Sequence, residues 1–137
     1  MNSIEVEQEA IVEEMGLFED AMDRYEYIID QGKLLEPMNE AYKTDDFQVR
    51  GCQSKVWLRA FRDGDVLFFE ADSNTAITKG IVALLLRVLN HRTPQEILDA
   101  RLDFIEKTGL RELLSSQRSN GLSAMILKIR HYASALL

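Results

Sequence analysis

Gly51-Cys52-Gln53-Ser54-Lys55-Val56-Trp57-Leu58-Arg59-Ala60-Phe61, followed beyond Asp63-Gly64 by Val66-Leu67-Phe68-Phe69, is the stretch from which the rest of the chain is read. Aromatic and β-branched residues dominate both runs, which suits two strands. Asp63-Gly64 between them suits a tight hairpin, because both central positions of a type I′ turn need positive φ. Val56, Leu58 and Ala60 then share one face of the first strand, and Val66 and Phe68 share a face of the second, with Leu67 and Phe69 on its other. Upstream, Thr44-Asp45-Asp46-Phe47-Gln48-Val49-Arg50 is polar and extended, so Cys52 falls where two extended segments meet. Glycine tolerates positive φ, and Gly51 suits a sharp turn that sets Cys52 at a loop tip.

Helical patterns flank this sheet. Ile4, Ile11, Met15 and Phe18 fall at helical spacing, with Glu5, Glu7, Glu9, Glu13 and Glu14 on a solvated face. A second helix carries Met22, Tyr25, Ile28 and Ile29 on its apolar side and fades near Gly32. Leu35 to Asp46 reads as a loop. A helix from about Thr75 to Asn90 is apolar nearly all round, which marks it as central and buried, with Asp72 and Ser73 in its N-cap region. Thr93-Pro94-Gln95-Glu96 is a capping box with proline at the first helical position. A last helix runs from about Asn120 to the C-terminus, with Leu122, Met125, Ile126, Ile129, Ala133 and Leu136 as its stripe. Helices, an antiparallel sheet and further helices make an α+β fold in which helices cover the sheet. No linker or repeat interrupts it, so 1–137 reads as a single domain.

Net charge −7 and a sequence pI near 4.8 argue against a nucleic-acid backbone as partner, which needs a face rich in lysine and arginine. The most apolar stretch, Ile81 to Leu86, is stopped by Arg87 and is too short to span a membrane. Met1 to Glu7 lacks the basic-then-apolar pattern of a secretory signal. A single cysteine can form no internal disulfide and no cysteine-based zinc site, so a reducing cytoplasm is the expected compartment.

A lone cysteine is either a reagent or a small packed hydrophobe. Flanks at Gly51 and Gln53 that are not apolar, with Arg50 and Lys55 nearby in sequence to favour thiolate if either side chain approaches the sulfur, point to the reagent. His91 and His131, each near the C-terminal end of a predicted helix, suit that place by charge alone rather than as a catalytic base. Three readings remain open on residues alone: a thiol placed to meet another protein, a stand-alone cysteine-dependent hydrolase or transferase, and a non-catalytic helical adaptor in which Cys52 merely packs.

Gly-Cys-Gln-Ser-x-Val-Trp-Leu at 51–58 resembles the signature of the SufE family, sulfur acceptors that work with a group II cysteine desulfurase in iron–sulfur cluster assembly. Arg24-Tyr25, Gly32-Lys33-Leu34, Ala71-Asp72-Ser73, Lys79-Gly80-Ile81, Thr93 to Leu98, and Ser116 to Ile126 stand in the family's order, from about Arg24 to about Ala133. The resemblance implies an α+β domain like that of the iron–sulfur scaffold proteins, with the cysteine on a loop. It implies that Cys52 accepts persulfide sulfur, raises the turnover of the desulfurase, and passes sulfur to an iron–sulfur scaffold complex. Such a chain is a carrier rather than an enzyme and holds no metal or cofactor; pyridoxal phosphate belongs to the desulfurase.

The resemblance also marks Gly51, Gln53 and Ser54 as loop contacts. Arg118 and Asn120, at the predicted start of the last helix, are candidates to hold anionic sulfur or the partner, because free N–H groups and the dipole favour an anion there. The family's Asp-Ser-Asp reads Asp72-Ser73-Asn74 here, which removes a carboxylate beside the loop. In the free protein Cys52 is expected to turn toward apolar neighbours such as Trp57, with Gly51 as pivot.

Overall fold

The computed structural model describes residues 3–137. Met1 and Asn2, the beginning of the stretch read above for a signal, lie outside the described residues. The order is α1 (Ile4–Gly16), α2 (Ala21–Lys33), two short 3-10 turns (Glu40–Tyr42 and Asp45–Phe47), β1 (Val56–Asp63), β2 (Val66–Ser73), α3 (Ala76–Leu89), α4 (Pro94–Asp99), α5 (Phe104–Thr108), α6 (Leu110–Leu113) and α7 (Ser116–Ala135). The fold is α+β, as expected.

β1 and β2 pair antiparallel, from Val56 opposite Ser73 to Asp63 opposite Val66. Gly64 has φ +61° and is the first of the two turn residues, while Asp65 has no positive φ. The turn thus lies one residue later than the type I′ reading put it, with glycine at the first central position, where a two-residue hairpin also accepts it. Val56 and Leu58 of β1 and Leu67, Phe69 and Ala71 of β2 face the core. Gln48 adds a single antiparallel bridge on the outer side of β1, opposite Trp57, and Arg92 does the same on the outer side of β2, opposite Leu67.

α3 is the centre of the molecule. Ile77, Ile81, Val82, Leu84, Leu85, Val88 and Leu89 are buried on several of its sides, against α1, α2, α7 and the sheet. Two glycines let α2 and α3 approach at backbone distance: a Cβ on Gly80 would stand 2.0 Å from the Ile28 carbonyl oxygen, and one on Gly32 would stand 2.9 Å from the Gly80 nitrogen. α2 continues through Gly32 to Lys33, one residue beyond the point where it was expected to fade. The Thr93 capping box is present, with Thr93 Oγ1 accepting from the Glu96 N–H (3.1 Å) and Glu96 Oε1 accepting from the Thr93 N–H (3.0 Å).

Several expectations require correction. The glutamates of α1 are not all a solvated face: Glu7 and Glu14 bind the Arg87 guanidinium of α3 at 2.9 and 2.6 Å. Met22 is exposed, and Tyr27 is buried in its place with its hydroxyl on Glu14 (2.9 Å). α5 and α6 were not foreseen, since stretches of five and four residues give too little periodicity to read. α7 starts at Ser116 with Ser115 as N-cap, whose Oγ accepts from the Arg118 N–H (3.2 Å), rather than near Asn120. The N-cap of α3 is Thr75, not Asp72 or Ser73, and the Thr75 hydroxyl is used elsewhere.

Candidate functional site

The segment 50–55 is a loop closed at its base by the Gln48–Trp57 bridge and the bond from the Val49 N–H to the Val56 carbonyl (2.8 Å). Its C-terminal end is pinned to the β2–α3 junction. The Lys55 N–H donates to Asn74 Oδ1 (3.0 Å), and the Lys55 carbonyl accepts from Ser73 Oγ (2.8 Å) and the Asn74 N–H (3.2 Å). Asn74 therefore acts as a loop fastener rather than a helix cap. Gly51 takes φ +89°, the left-handed region that a side chain would strain. A Cβ there would also meet Ala124 Cβ of α7 at 3.4 Å.

Cys52 is half-buried and turned inward, with its thiol donating to the Gly121 carbonyl at 3.7 Å. Gly121 makes room for the sulfur: a Cβ at that position would stand 3.4 Å from Sγ. Beside Sγ lies a cavity of about 10 Å³, enough for roughly one water-sized particle. Ser54, Thr78, Ile81, Gln117, Arg118 and Met125 line it together with Gln53 and Gly121. The apolar wall is thus Ile81 and Met125; Trp57 is not part of it and instead stands half-buried with the Lys43 ammonium 5.9 Å from its ring.

The polar wall is a hydrogen-bonded chain. Arg118 Nη1 donates to Thr78 Oγ1 (3.0 Å), Thr78 Oγ1 donates to Ser54 Oγ (3.2 Å), and the Ser54 and Thr75 hydroxyls share a hydrogen bond (2.8 Å). Among the described residues, no carboxylate lies within ion-pair distance of Arg118. Its charge is held at the cavity by a neutral hydroxyl. Thr78 is the site residue that sequence reading missed; a threonine inside an apolar helix is the signal, since a buried hydroxyl needs a partner.

Of the residues singled out in the sequence, Gly51, Cys52, Gln53, Ser54 and Arg118 come together. Asn120 does not: it is exposed and off the cavity wall. Neither His91 nor His131 lines the cavity. Burial pushes the Cys52 thiol pKa up. The condition under which Arg50 or Lys55 would favour thiolate is not met: both side chains are exposed, and burial is the influence that moves the thiol. Burial thus favours the thiol over the thiolate. Among the described residues no three of His, Cys, Asp and Glu gather as a metal site, and no helix is long and apolar enough to cross a membrane.

The structure is thus a helical α+β domain whose one thiol sits on a loop and turns in toward α7, beside an arginine and a cavity of atomic size. Residues 9–133 match the SufE family model, described as the Fe-S metabolism associated domain. An uncharacterised SufE-like protein of Rhizobium meliloti (strain 1021) is 40% identical over 133 residues, covering 93% of this chain and 94% of the relative. One from Synechocystis is 41% identical over 111 residues, covering 81% and 70%. SufE-like protein 1, chloroplastic/mitochondrial, of Arabidopsis thaliana is 42% identical over 104 residues, which are 75% of this chain and 28% of that longer protein. The solution structure of a hypothetical protein from Thermus thermophilus superposes with a TM-score of 0.77 over 94% of both chains at 18% identity, a likeness of fold. The chain belongs to the SufE family, and so to a family of iron–sulfur metabolism.

Proposed function

We propose that this protein is a sulfur carrier that accepts persulfide sulfur on Cys52 from a group II cysteine desulfurase and delivers it for iron–sulfur cluster assembly. The observation that carries this reading is the pairing of the chain's only thiol with an adjoining cavity of about 10 Å³ walled by Arg118, Thr78 and Ser54. No second cysteine is present to convert a persulfide into an internal disulfide.

In the transfer, the Cys52 thiol loses its proton to solvent and the thiolate attacks the terminal sulfur of the partner's persulfide. A bond forms between Cys52 Sγ and that sulfur, the partner's S–S bond breaks, and the partner's cysteine leaves as thiolate. One zero-valent sulfur changes hands with no net oxidation, and the desulfurase regains the nucleophile for its next turnover. Sγ is turned inward at rest, so the loop must swing out to reach the partner, about Gly51, whose lack of a side chain permits the backbone rotation. Docking shifts this equilibrium only if the partner binds the outward form more tightly.

Incubating the protein with a group II desulfurase and cysteine, then measuring intact mass, tests the reading. Wild type should gain the mass of one sulfur atom, reversible by reductant, and stimulate the desulfurase. Absence of that mass gain in wild type, or its persistence in Cys52→Ser, rules the carrier out.

A further inference from the structure

The chain's charge is sharply divided. Residues 1–50 hold fourteen carboxylates against four lysines and arginines, whereas residues 114–137 hold no carboxylate and contain Arg118, Lys128 and Arg130. Most of that last segment is α7. Several cations earlier in the chain are paired within it: Lys43 and Lys79 with Asp72, Arg59 with Glu70, Arg87 with Glu7 and Glu14. No described carboxylate stands within ion-pair distance of Arg50, Lys128 or Arg130. These three flank a groove of about 560 Å³ between the Gln48–Arg50 segment and α7, whose apolar lining is Val49, Ala124 and Leu127.

Leu127 is 71% exposed there, a large apolar side chain on a rim of positive charge. Lys128 directs its ammonium over the Tyr132 ring at 5.2 Å, and Arg130 donates to the Ala100 carbonyl (2.9 Å) while its buried Nε has no partner. The groove also adjoins the reactive loop. Ala124, in its wall, is the residue against which Gly51 packs, and Gly121, one turn earlier on α7, holds Cys52 Sγ.

We infer that this groove is the docking surface for an acidic segment of the desulfurase carrying an apolar anchor, an inference that rests on the sulfur-acceptor reading above. Carboxylates of the partner supply the charge that Arg50, Lys128 and Arg130 lack within the chain, and an apolar side chain covers Leu127. A protein segment fits better than a nucleic acid, because a chain of net charge −7 repels a long polyanion while a short acidic segment meets only the local positive face. Binding at this wall places the partner's loaded cysteine beside Gly51 and Cys52.

The test is calorimetric titration of the full chain with an inactive group II desulfurase whose own catalytic cysteine is serine. Lys128→Glu and Leu127→Asp should each weaken binding by about tenfold or more, and Lys128→Glu should flatten the salt dependence of the affinity. Arg62→Glu, near the Gly64 turn, should bind as wild type does. Thermal melts of the two groove variants establish that each is folded. At saturating active desulfurase, both should still gain sulfur on Cys52, since neither side chain lines the sulfur cavity. Unchanged affinity in the folded groove variants overturns the docking surface while leaving sulfur transfer standing; wild type that binds but gains no sulfur overturns the carrier reading instead. Retention of a short single-stranded DNA by wild type at physiological salt, lost in Lys128→Glu, reassigns the patch to nucleic acid.

Discussion

At the scale of the residue, Cys52 is poised by what surrounds it rather than by a catalytic base. Burial raises its pKa, so iodoacetamide should modify the free protein with an apparent pKa above the roughly 8.5 of an ordinary thiol. The sign for stability follows: above about pH 8.5 the unfolded chain gives up its thiol proton while the folded one retains it, so folding stability falls as pH rises through that window. Cys52→Ser should remove this fall and change stability at lower pH by less than about 1 kcal/mol, because the hydroxyl can still donate to the Gly121 carbonyl. An alkylation profile identical to that of a short peptide of the same sequence contradicts the inward thiol. Thr78→Val should cost about 1 kcal/mol of stability, and Thr78→Val and Arg118→Ala should each slow sulfur acceptance, because Thr78 Oγ1 is what Arg118 Nη1 grips. In single-turnover transfer kinetics the double variant should be little worse than either single one; additive losses would separate Thr78 from the role of Arg118.

At the scale of the element, two helix glycines make opposite predictions. Glycine to alanine inside a helix ordinarily gains about 1 kcal/mol. At Gly80 the new Cβ would stand 2.0 Å from the Ile28 carbonyl oxygen, so α2 and α3 must separate, and Gly80→Ala should destabilise by about 2 kcal/mol or more, read as a fall in Tm. At Gly121 the nearest atom is Cys52 Sγ at 3.4 Å, an ordinary contact. Gly121→Ala should therefore leave Tm unchanged or raised, yet a persulfide formed on Cys52 has less room beside α7 and should be stripped faster by glutathione. A persulfide lifetime equal to wild type would show that the cavity shelters nothing. Both positions look alike in the sequence, as glycines within helical patterns, and only the neighbour across the gap distinguishes them.

At the scale of the whole molecule, Arg87 ties α1 to α3 through Glu7 and Glu14. The hydrogen bond from Arg87 outweighs burial and holds the Glu14 carboxyl below its ordinary pKa. A depressed carboxylate stabilises the fold above its unfolded value of about 4.3, and that contribution is lost as pH falls through the lower folded value. Asp72 acts in the same sense: burial raises its pKa, but bonds from Lys43 and Ser73 and the Lys79 charge bring it down. Arg87→Met should lower Tm at neutral pH and lessen its further loss below about pH 4, measured by melts across that range. An unaltered acid slope would place the pH dependence elsewhere.

Periodicity and turn chemistry decided much of the fold, because they are local: the apolar α3, the capping box at Thr93, the alternation along β1 and β2, and the positive φ at Gly51 each follow from residues close in the chain. The family motif brought Cys52, Gln53, Ser54 and Arg118 into view together. The site's remaining features depend on residues far apart in sequence. Thr78 meets Arg118 across forty positions, Gly121 meets Cys52 across sixty-nine, and Glu7 meets Arg87 across eighty. Sequence placed Arg50 and Lys55 where either could favour thiolate by approaching the sulfur, and tertiary structure decided against it, because burial acts on the sulfur while those two cations stay exposed. Local sequence specifies which backbone shapes are favoured; which side chain a buried polar atom meets, and whether water reaches it, is set only when the helices close around α3.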